Sequence, residues 1–447
     1  MKLFNSITNK KEDFVSVKEG QISLYLCGPT VYNHAHIGNV RPMIIFDVLR
    51  RIFEYRHLKV IFVSNYTDVD DKIIQGAKEE GLDEITFSKK YITAYEKIRN
   101  DLNIKQPTYT PKVSETIEEI IAFIKILIEK DFAYESEGDV YFNVEQLVDY
   151  GIVSKIKIKD LLDGASERVE INDKKQSPLD FVLWKKSFEG ISWESPWSNG
   201  RPGWHTECVV MIDKIFGDKK IDIHGGGHDL KFPHHENEVA QSLAYHGHYL
   251  ANFWMHNNLL NIDNQKMSKS IGNVMWAKDV INDLGGNVVR WLMLSTHYRN
   301  PLNYTNDVIK AIVKEVGKVE HVIKQAGVLL QLNDIKINQG LVDNDLMEQL
   351  VVVLEDDLNT SLGLTLILEH VKRLNLTLRI NKQDFKLILN QFETLKQMLN
   401  LFGFDFNCPI LSKQDKTDYK QWEKLKRLKS FDEADELRKS LLERRIL

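Results

Sequence analysis

Near the start of the chain a strand, a helix and a second strand follow within about 45 residues, the hydrophobic spacing changing period at each junction. Ile22-Ser23-Leu24-Tyr25-Leu26-Cys27 alternates and then meets Gly28-Pro29, the pattern of a strand ending in a tight turn. From residue 38 to 56 the apolar residues Val40, Ile44, Ile45, Val48, Leu49, Ile52 and Phe53 recur at helical spacing. Val60-Ile61-Phe62-Val63-Ser64-Asn65 is a short β-branched run, which reads as a second buried strand. Strands joined through a helix run parallel, and a parallel sheet binds its ligands at the carboxyl ends of its strands. Cys27, His36 and the segment 65–71 fall at such ends.

At 447 residues the chain is too long for one core. Residues 115–200 change character: 117–127 has the spacing of an amphipathic helix, Asp139-Val140-Tyr141-Phe142 reads as a strand, and 155–175 is polar and irregular. Sheet signals of the first kind resume at Ile221-Asp222-Ile223-His224. The expected organisation is one nucleotide-binding domain in two halves, 1–114 and 201–300, with 115–200 inserted between them and a helical region over 301–447. There Val308, Ile309, Ile312, Val313, Val316, Val319, Val322 and Ile323 form one stripe, 346–358 and 385–401 continue in kind, and 404–417, with Pro409, reads as a linker.

No apolar run reaches the roughly 18 residues that cross a bilayer, and the first residues carry no apolar signal-peptide core, so a cytoplasmic protein without a membrane partner is expected. Three cysteines rule out a disulfide scaffold. A net charge of -5 means that any RNA partner must meet a local basic face, for which 420–429 and 438–445 are the candidates.

The chemistry-bearing residues fall into three groups. His36-Ile37-Gly38-Asn39 crosses from a strand end to a helix start, where unpaired N–H groups favour phosphate; Gly38 lets backbone approach a nucleotide, and His36 and Asn39 can donate to phosphate or ribose. Lys266-Met267-Ser268-Lys269-Ser270 sets two lysines among small and hydroxylated residues, suited to the charge on a departing pyrophosphate. Gly225, Gly226 and Gly227 follow a strand, leaving no side chain between backbone and a flat ring such as adenine. The third group offers metal ligands: Cys27, Cys208, Glu238 and a histidine. His234 is at i and Glu238 at i+4, but His235 at i+3 from the acid also reaches, so spacing leaves the histidine open.

The His36 and Lys266 motifs resemble the two nucleotide-binding signatures of class I aminoacyl-tRNA synthetases, with Asn39 in place of a second histidine. With Cys27, Cys208 and His234-His235-Glu236-Asn237-Glu238 the resemblance narrows to the cysteinyl-tRNA synthetase family and can be followed along most of the chain. It implies an α/β fold: a Rossmann-type parallel-sheet catalytic domain with an insertion, then a mostly α-helical C-terminal tRNA-binding region. It implies a ligase that activates L-cysteine with ATP and passes it to tRNA(Cys). The catalytic residues would be His36, Asn39, Lys266 and Lys269, with ATP held by His36, Gly38, Gly225, Gly226, Gly227 and Lys269. Cysteine would meet Gly28, Thr67, Trp204 and Asp229, with Trp204 flooring its pocket. One Zn²⁺ per chain would be held by Cys27, Cys208, His234 and Glu238, which selects His234 over His235, and Mg²⁺ would travel with ATP. Sulfur against oxygen is too small a difference for shape to reject, so direct thiolate–zinc coordination would select cysteine over serine. A monomer is expected.

Asp357-Leu358-Asn359-Thr360, expected inside a helical run, and Phe431 to Arg438 resemble parts of the family's anticodon-binding region. The chain ends at Leu447, where the family usually continues into a short tail, and Asn258 replaces a usual glycine. The acidic cluster Asp68, Asp70 and Asp71 is not expected to hold metal. Two rivals remain. A cysteine ligase of thiol-cofactor biosynthesis shares the core but does not need the helical region after residue 300. A non-catalytic RNA-binding relative has no use for His36, both lysines and a full ligand set.

Overall fold

The computed structural model describes residues 1–156, 174–267, 272–444 and 446. The chain divides into two compact units: Met1–Asp283 with Tyr298–Tyr304 and Asp356–Leu358, and Leu284–His297 with Thr305–Glu355 and Asn359–Leu447.

The centre of the first unit is a four-stranded, all-parallel sheet in the order Ala251–Asn257, Ile221–Gly227, Gln21–Leu26, Lys59–Ser64. The expected strand, helix and strand are present as Gln21–Leu26, Val40–Tyr55 and Lys59–Ser64. Leu24, Tyr25, Ile44, Ile45, Val48, Leu49, Ile52 and Val63 are all buried, which is why the helix carries its apolar stripe and the strands read as near-continuous hydrophobic runs. Chain order along the sheet reverses beside Gln21–Leu26, and such a switch point opens a crevice beyond the strand ends. Cys27 and Gly28 lie in it, and the Cys27 N–H donates to the Gly225 carbonyl at 3.1 Å.

A second, antiparallel sheet of four short strands, Ala133–Ser136, Asp139–Phe142, Phe181–Lys186 and Gly200–Pro202, occupies the region read as an insertion. Helix Ile117–Glu129 precedes it, its buried Ile117, Ile120, Phe123, Ile124 and Leu127 belonging to the same core as Val209, Val210 and Val239.

Arg41 ties the sheet to the cleft wall. Its guanidinium is fully buried and donates to the carbonyls of Asn258 at 2.7 Å, Leu259 at 3.1 Å and Asn300 at 2.9 Å. Burial pushes its pKa down to about 10. Arg41→Met removes the donors of three carbonyls on the cleft wall, so it should lower stability by about 2 kcal/mol, read by urea denaturation. Because Asn258–Leu259 lines the cleft described below, KM for ATP should rise in the same variant; an unchanged midpoint would mean that the carbonyls find other donors.

The second unit is helical: Gly286–Leu294, Asn306–Leu332, Asn344–Leu354, Thr360–Leu378, Phe385–Leu401, Lys413–Arg427 and Phe431–Glu443. The expected stripe is buried at Ile309, Ile312, Val316, Val319, Val322 and Ile323, while Val313 is exposed. The segment read as a linker joins helices without regular structure up to Ser412, yet Phe404 and Leu411 are buried. One expectation fails. The helical run does not extend through residue 358: its helix ends at Leu354, and Asp357 and Leu358 have φ of 61° and 53°, which no helix accommodates. The buried Asp357 carboxylate explains the break, accepting from the Phe4 N–H at 2.8 Å, the Tyr298 hydroxyl at 2.7 Å and Arg299 Nε at 2.8 Å, all within the first unit. Among the described residues no helix is long and apolar enough to cross a membrane.

Candidate active site

A cleft of about 350 Å³ opens at the carboxyl ends of the parallel strands. Cys27, Gly28, His36, Gly38, Asn39, Thr67, Trp204, Cys208, Gly227, Asp229, His234 and Lys266 line it. The sequence had proposed all of these, from segments far apart. Lys269 lies outside the described residues, as do Ser268 and Ser270.

The turn after the first strand is the tightest part of the wall. A Cβ on Gly28 would stand 1.6 Å from the Asn65 carbonyl oxygen, so only glycine fits between these strand ends. Asn65 fixes the junction with its side chain: Oδ1 accepts from the Gly28 N–H at 2.8 Å and Nδ2 donates to Thr67 Oγ1 at 3.2 Å. Further on, Asn39 Oδ1 accepts from the His36 N–H at 3.0 Å and closes the turn into the helix. Its amide nitrogen remains the donor face. Gly38 brings the His36 ring and Met267 together; a Cβ there would lie 3.1 Å from one and 3.3 Å from the other.

The glycine run differs from expectation. It is the end of strand Ile221–Gly227 itself, not a turn beyond it. A Cβ on Gly225 would strike Phe46 at 2.0 Å and one on Gly226 would meet Leu230 and His235 below 3.0 Å, so these two are required by packing. Only Gly227 of the three reaches the cleft, beside Asp229.

At the cleft floor Cys27 Sγ lies 3.9 Å from Cys208 Sγ, Cys208 Sγ 3.7 Å from His234 Nε2, His234 Nε2 2.9 Å from Glu238 Oε1, and Glu238 Oε1 3.7 Å from Cys27 Sγ. Ligand atoms on a tetrahedral zinc with bonds of about 2.0–2.3 Å stand about 3.3–3.8 Å apart; three sides of this ring, at 3.7–3.9 Å, come close to that spacing, and the His234–Glu238 side, at 2.9 Å, is shorter. His234 comes from the turn Lys231–His235 and Glu238 from the first turn of helix Glu236–His246. The helix therefore begins after the histidine, and the i,i+4 relation still holds.

His235 is also near: its Nε2 is 3.3 Å from Cys27 Sγ, and Cys27, His234, His235 and Glu238 have ligand atoms within 4.8 Å of one another. It is fully buried and does not line the cleft, whereas Cys27, Cys208 and His234 do.

Around this ring lies a set of histidines that sequence reasoning did not assign. His224 Nε2 is 2.8 Å from Glu238 Oε2, and its ring stacks on Tyr25 at 5.2 Å. His235 Nδ1 is 2.7 Å from His256 Nε2, whose Nδ1 is 2.8 Å from Ser6 Oγ. His205 Nδ1 faces His234 Nδ1 at 3.0 Å. Burial and His234 hold His205 well below the usual histidine range; a proton on His234 Nδ1, donated to His205, leaves His234 Nε2 turned to Cys208 and Glu238. His224, alternating with Ile223 in its strand, was the one visible signal.

The two thiols stand within hydrogen-bond reach of each other. The hydrogen bond from Cys27 takes the Cys208 thiol down to about 6 despite burial, while burial and Cys208 push Cys27 up. Burial opposes the Glu238 charge, but His224 and His234 outweigh it and hold the carboxyl well below its usual range. Trp204, 43% exposed, stacks on His234 with centroids 4.9 Å apart and lines the cleft. The acids 68–71 are occupied structurally: Asp68 accepts from Ser114, Asp70 caps helix Asp71–Glu80, and Asp71 pairs with Lys185 and Arg201.

Two family descriptions match the chain: "tRNA synthetases class I (C) catalytic domain" over residues 13–314 and "DALR domain" over 352–407. A cysteine–tRNA ligase from Halalkalibacterium halodurans is 41% identical over 99% of this chain and 95% of its own length. One from Brevibacillus brevis is 41% identical over 98% and 95%. One from Streptococcus agalactiae serotype Ia is 42% identical over 99% and 96%. Among solved structures, Mycobacterium tuberculosis methionyl-tRNA synthetase in complex with methionyl-adenylate superposes with a TM-score of 0.61 at 13% identity, covering 86% of this chain and 89% of that one. A putative arginyl-tRNA synthetase from Campylobacter jejuni gives 0.56 at 14% identity, covering 89% and 96%. At such identities these two speak for the fold.

Proposed function

This chain belongs to the cysteine–tRNA ligase family, and on that footing we propose how its own residues select cysteine, activate it with ATP and charge tRNA(Cys). The observation that carries the reading is the single cleft in which Cys27, Cys208 and His234 adjoin the His36 turn and Lys266, with the buried Glu238 carboxylate 2.9 Å from His234 behind them.

Cys27, Cys208, His234 and Glu238 are the residues to hold one Zn²⁺. When bound, the ion favours a thiolate ligand over a hydroxyl, which is the discrimination that cysteine against serine requires. Trp204, beside His234, bounds the space to one small side chain, and Thr67 and Asp229 face the amino acid's polar groups. A carboxylate oxygen of cysteine attacks the α-phosphorus of ATP; the new P–O bond forms as the bond to pyrophosphate breaks, and pyrophosphate leaves with the electron pair, accompanied by Mg²⁺. His36 and Lys266, with Lys269 from the same motif, stabilise the charge that develops on the phosphates, while Gly38, Asn39 and Gly227 let the nucleotide lie close to backbone. A terminal ribose hydroxyl of tRNA then attacks the acyl carbon, and AMP leaves.

Purified protein should charge tRNA only when both cysteine and ATP are supplied; incorporation without tRNA, onto an amino sugar, would favour the thiol-cofactor ligase instead. Lys269→Ala should lower the rate of cysteine-dependent ATP–pyrophosphate exchange about 10²-fold and leave KM for cysteine nearly unchanged, because the lysine acts on charge present only in the transition state. A raised KM for cysteine with an unchanged rate would remove the lysine from that role.

A further inference from the structure

His234 and Glu238 stand on either side of a weak joint in the backbone. His234 comes from an irregular turn, Lys231–His235, in which Phe232 is extended with φ of -141° and ψ of 132°, and Glu238 lies in the first turn of helix Glu236–His246. The residue at the junction, His235, makes no side-chain capping bond to the first turn of that helix. Yet the 2.9 Å separation of His234 Nε2 from Glu238 Oε1 depends on how turn and helix meet there. His205 and His224 hold the two side chains from outside. The backbone between them is held from elsewhere.

Glu236, the first residue of the helix, is the place where it is held. Its carboxylate is buried: Oε1 accepts from the Gly151 N–H at 2.8 Å, and Oε2 from the N–H groups of Val153 at 2.9 Å and Ser154 at 2.7 Å. Next to it, Asn237 Oδ1 accepts from the Tyr150 hydroxyl at 2.6 Å. All four donors belong to one loop, between strands Asp139–Phe142 and Phe181–Lys186 of the antiparallel sheet. Backbone N–H groups converging on one anion form a nest, and their bonds to a charged oxygen are about twice as strong as neutral ones. The loop is shaped for the task. Gly151 has φ of 104°, and a Cβ on it would stand 2.2 Å from the Ile156 carbonyl oxygen, so only glycine fits. The Lys155 N–H closes the loop onto the Gly151 carbonyl at 2.9 Å, and Val153 is buried in the same core as Val239 of the helix. Glu236 is two residues from each ligand and about 200° round the helix from Glu238, so its bonds grip the backbone from the side away from the ring.

Resting on the proposed function, we infer that Glu236 is a positioning residue for the metal centre: the loop from Tyr150 to Ser154 clasps its carboxylate and so sets the spacing of His234 and Glu238. Glu236 touches neither the ion nor the substrates.

The test measures the zinc affinity of the full chain by chelator competition, and the d–d absorption of the chain loaded with Co²⁺ in place of zinc; neither depends on catalysis. Glu236→Gln keeps the size of the side chain but sets an amide NH₂ against the donor N–H groups. Its zinc affinity should fall about 10- to 100-fold, as for other supports of metal ligands, and its Co²⁺ bands should shift. In pyrophosphate exchange KM for cysteine should rise while KM for ATP stays unchanged. Gly151→Ala breaks the clasp from the loop side. Its loss of zinc affinity should match that of Glu236→Gln, and the double variant should be no worse than either, because both remove one and the same clasp. Additive losses would overturn the inference. So would unchanged zinc affinity and Co²⁺ bands beside a lowered urea midpoint, the mark of a carboxylate that only stabilises its loop. Should these variants fail to fold, Tyr150→Phe, which removes only the hydroxyl on Asn237, should lower zinc affinity about two- to tenfold, the worth of one hydrogen bond; an unchanged affinity there would overturn the inference equally. A parent chain that binds no zinc or shows no cysteine-dependent exchange would sink the function on which this rests. A parent that does both, beside a Glu236→Gln chain of unaltered zinc affinity, would sink this inference alone.

Discussion

Cys208→Ser should cost the chain its zinc and its cysteine-dependent ATP–pyrophosphate exchange together. The sulfur of Cys208 is one corner of the ring at the cleft floor, 3.9 Å from Cys27 Sγ and 3.7 Å from His234 Nε2, and serine oxygen is both a shorter reach and a far weaker zinc ligand. Residues that merely orient a metal ligand are worth 10- to 100-fold, so removing a ligand should exceed about 10²-fold in exchange. Zinc content, measured by native mass spectrometry of the intact metal–protein complex, gives a readout independent of activity. The substitution also removes the thiol whose pKa the Cys27 hydrogen bond depresses to about 6, so a serine chain has no low-pKa partner for Cys27. Cys208→Ser protein that keeps one zinc per chain would move the site to Cys27, His234, His235 and Glu238. Full exchange from verified zinc-free protein would end the metal-selection reading altogether. His235→Ala separates the two ligand sets further, because on the proposed set it disturbs packing near His256 and should retain zinc.

What could be read from the residues, and what could not, divides along physical lines. The parallel sheet was legible because each of its first elements carries its own period: Leu24 and Val63 are buried in strands, Ile45 and Val48 on one face of a helix. The cleft was legible because strands of a parallel sheet end on the same side, which brings Cys27, Thr67 and Gly227 together whatever their separation in sequence. The histidine shell was not legible. His224, His235 and His256 meet only through pairing of neighbouring strands and a turn, and no local spacing encodes such a meeting. Gly225 and Gly226 are ambiguous for a related reason: a glycine that packs against Phe46 looks the same in sequence as one that adjoins adenine. Asp357 was read as helical because its carboxylate's partners, Phe4, Tyr298 and Arg299, lie far away along the chain and impose a left-handed backbone that periodicity cannot report. Within the basic run near the end, Arg444 is tied to Asp415 and Asp418 and braces the last helices against each other, a pairing that local spacing does not report.

Gly28→Ala is the smallest change with an effect of comparable size. A methyl group placed on Gly28 stands 1.6 Å from the carbonyl oxygen of Asn65, and the obstacle is backbone, so no rotamer can relieve it. The two strand ends must separate, by roughly an ångström or more to restore van der Waals contact. Three things move with them. The 2.8 Å bond from the Gly28 N–H to Asn65 Oδ1 breaks, the 3.1 Å bond from the Thr67 N–H to the Pro29 carbonyl stretches, and Cys27, the adjacent residue, is carried away from Cys208. The expected loss of stability is about 1–3 kcal/mol, as for overpacking elsewhere in a close-packed core. Activity should suffer more than stability, because a misplacement of about 1 Å at a reacting group costs on the order of 10²-fold. The measurement is exchange activity at a temperature well below the variant's unfolding midpoint, so that the loss is not simply loss of fold. Zinc content then locates the damage. If zinc stays at one per chain while exchange falls, the four ligands tolerate the shift and the cost lies in how cysteine and ATP meet across the Gly28 turn. If zinc and exchange fall together, Cys27 has been pulled out of the ligand ring. Activity within about threefold of the parent would mean that the junction of Gly28 and Asn65 yields without consequence, and that the turn does not position the reaction.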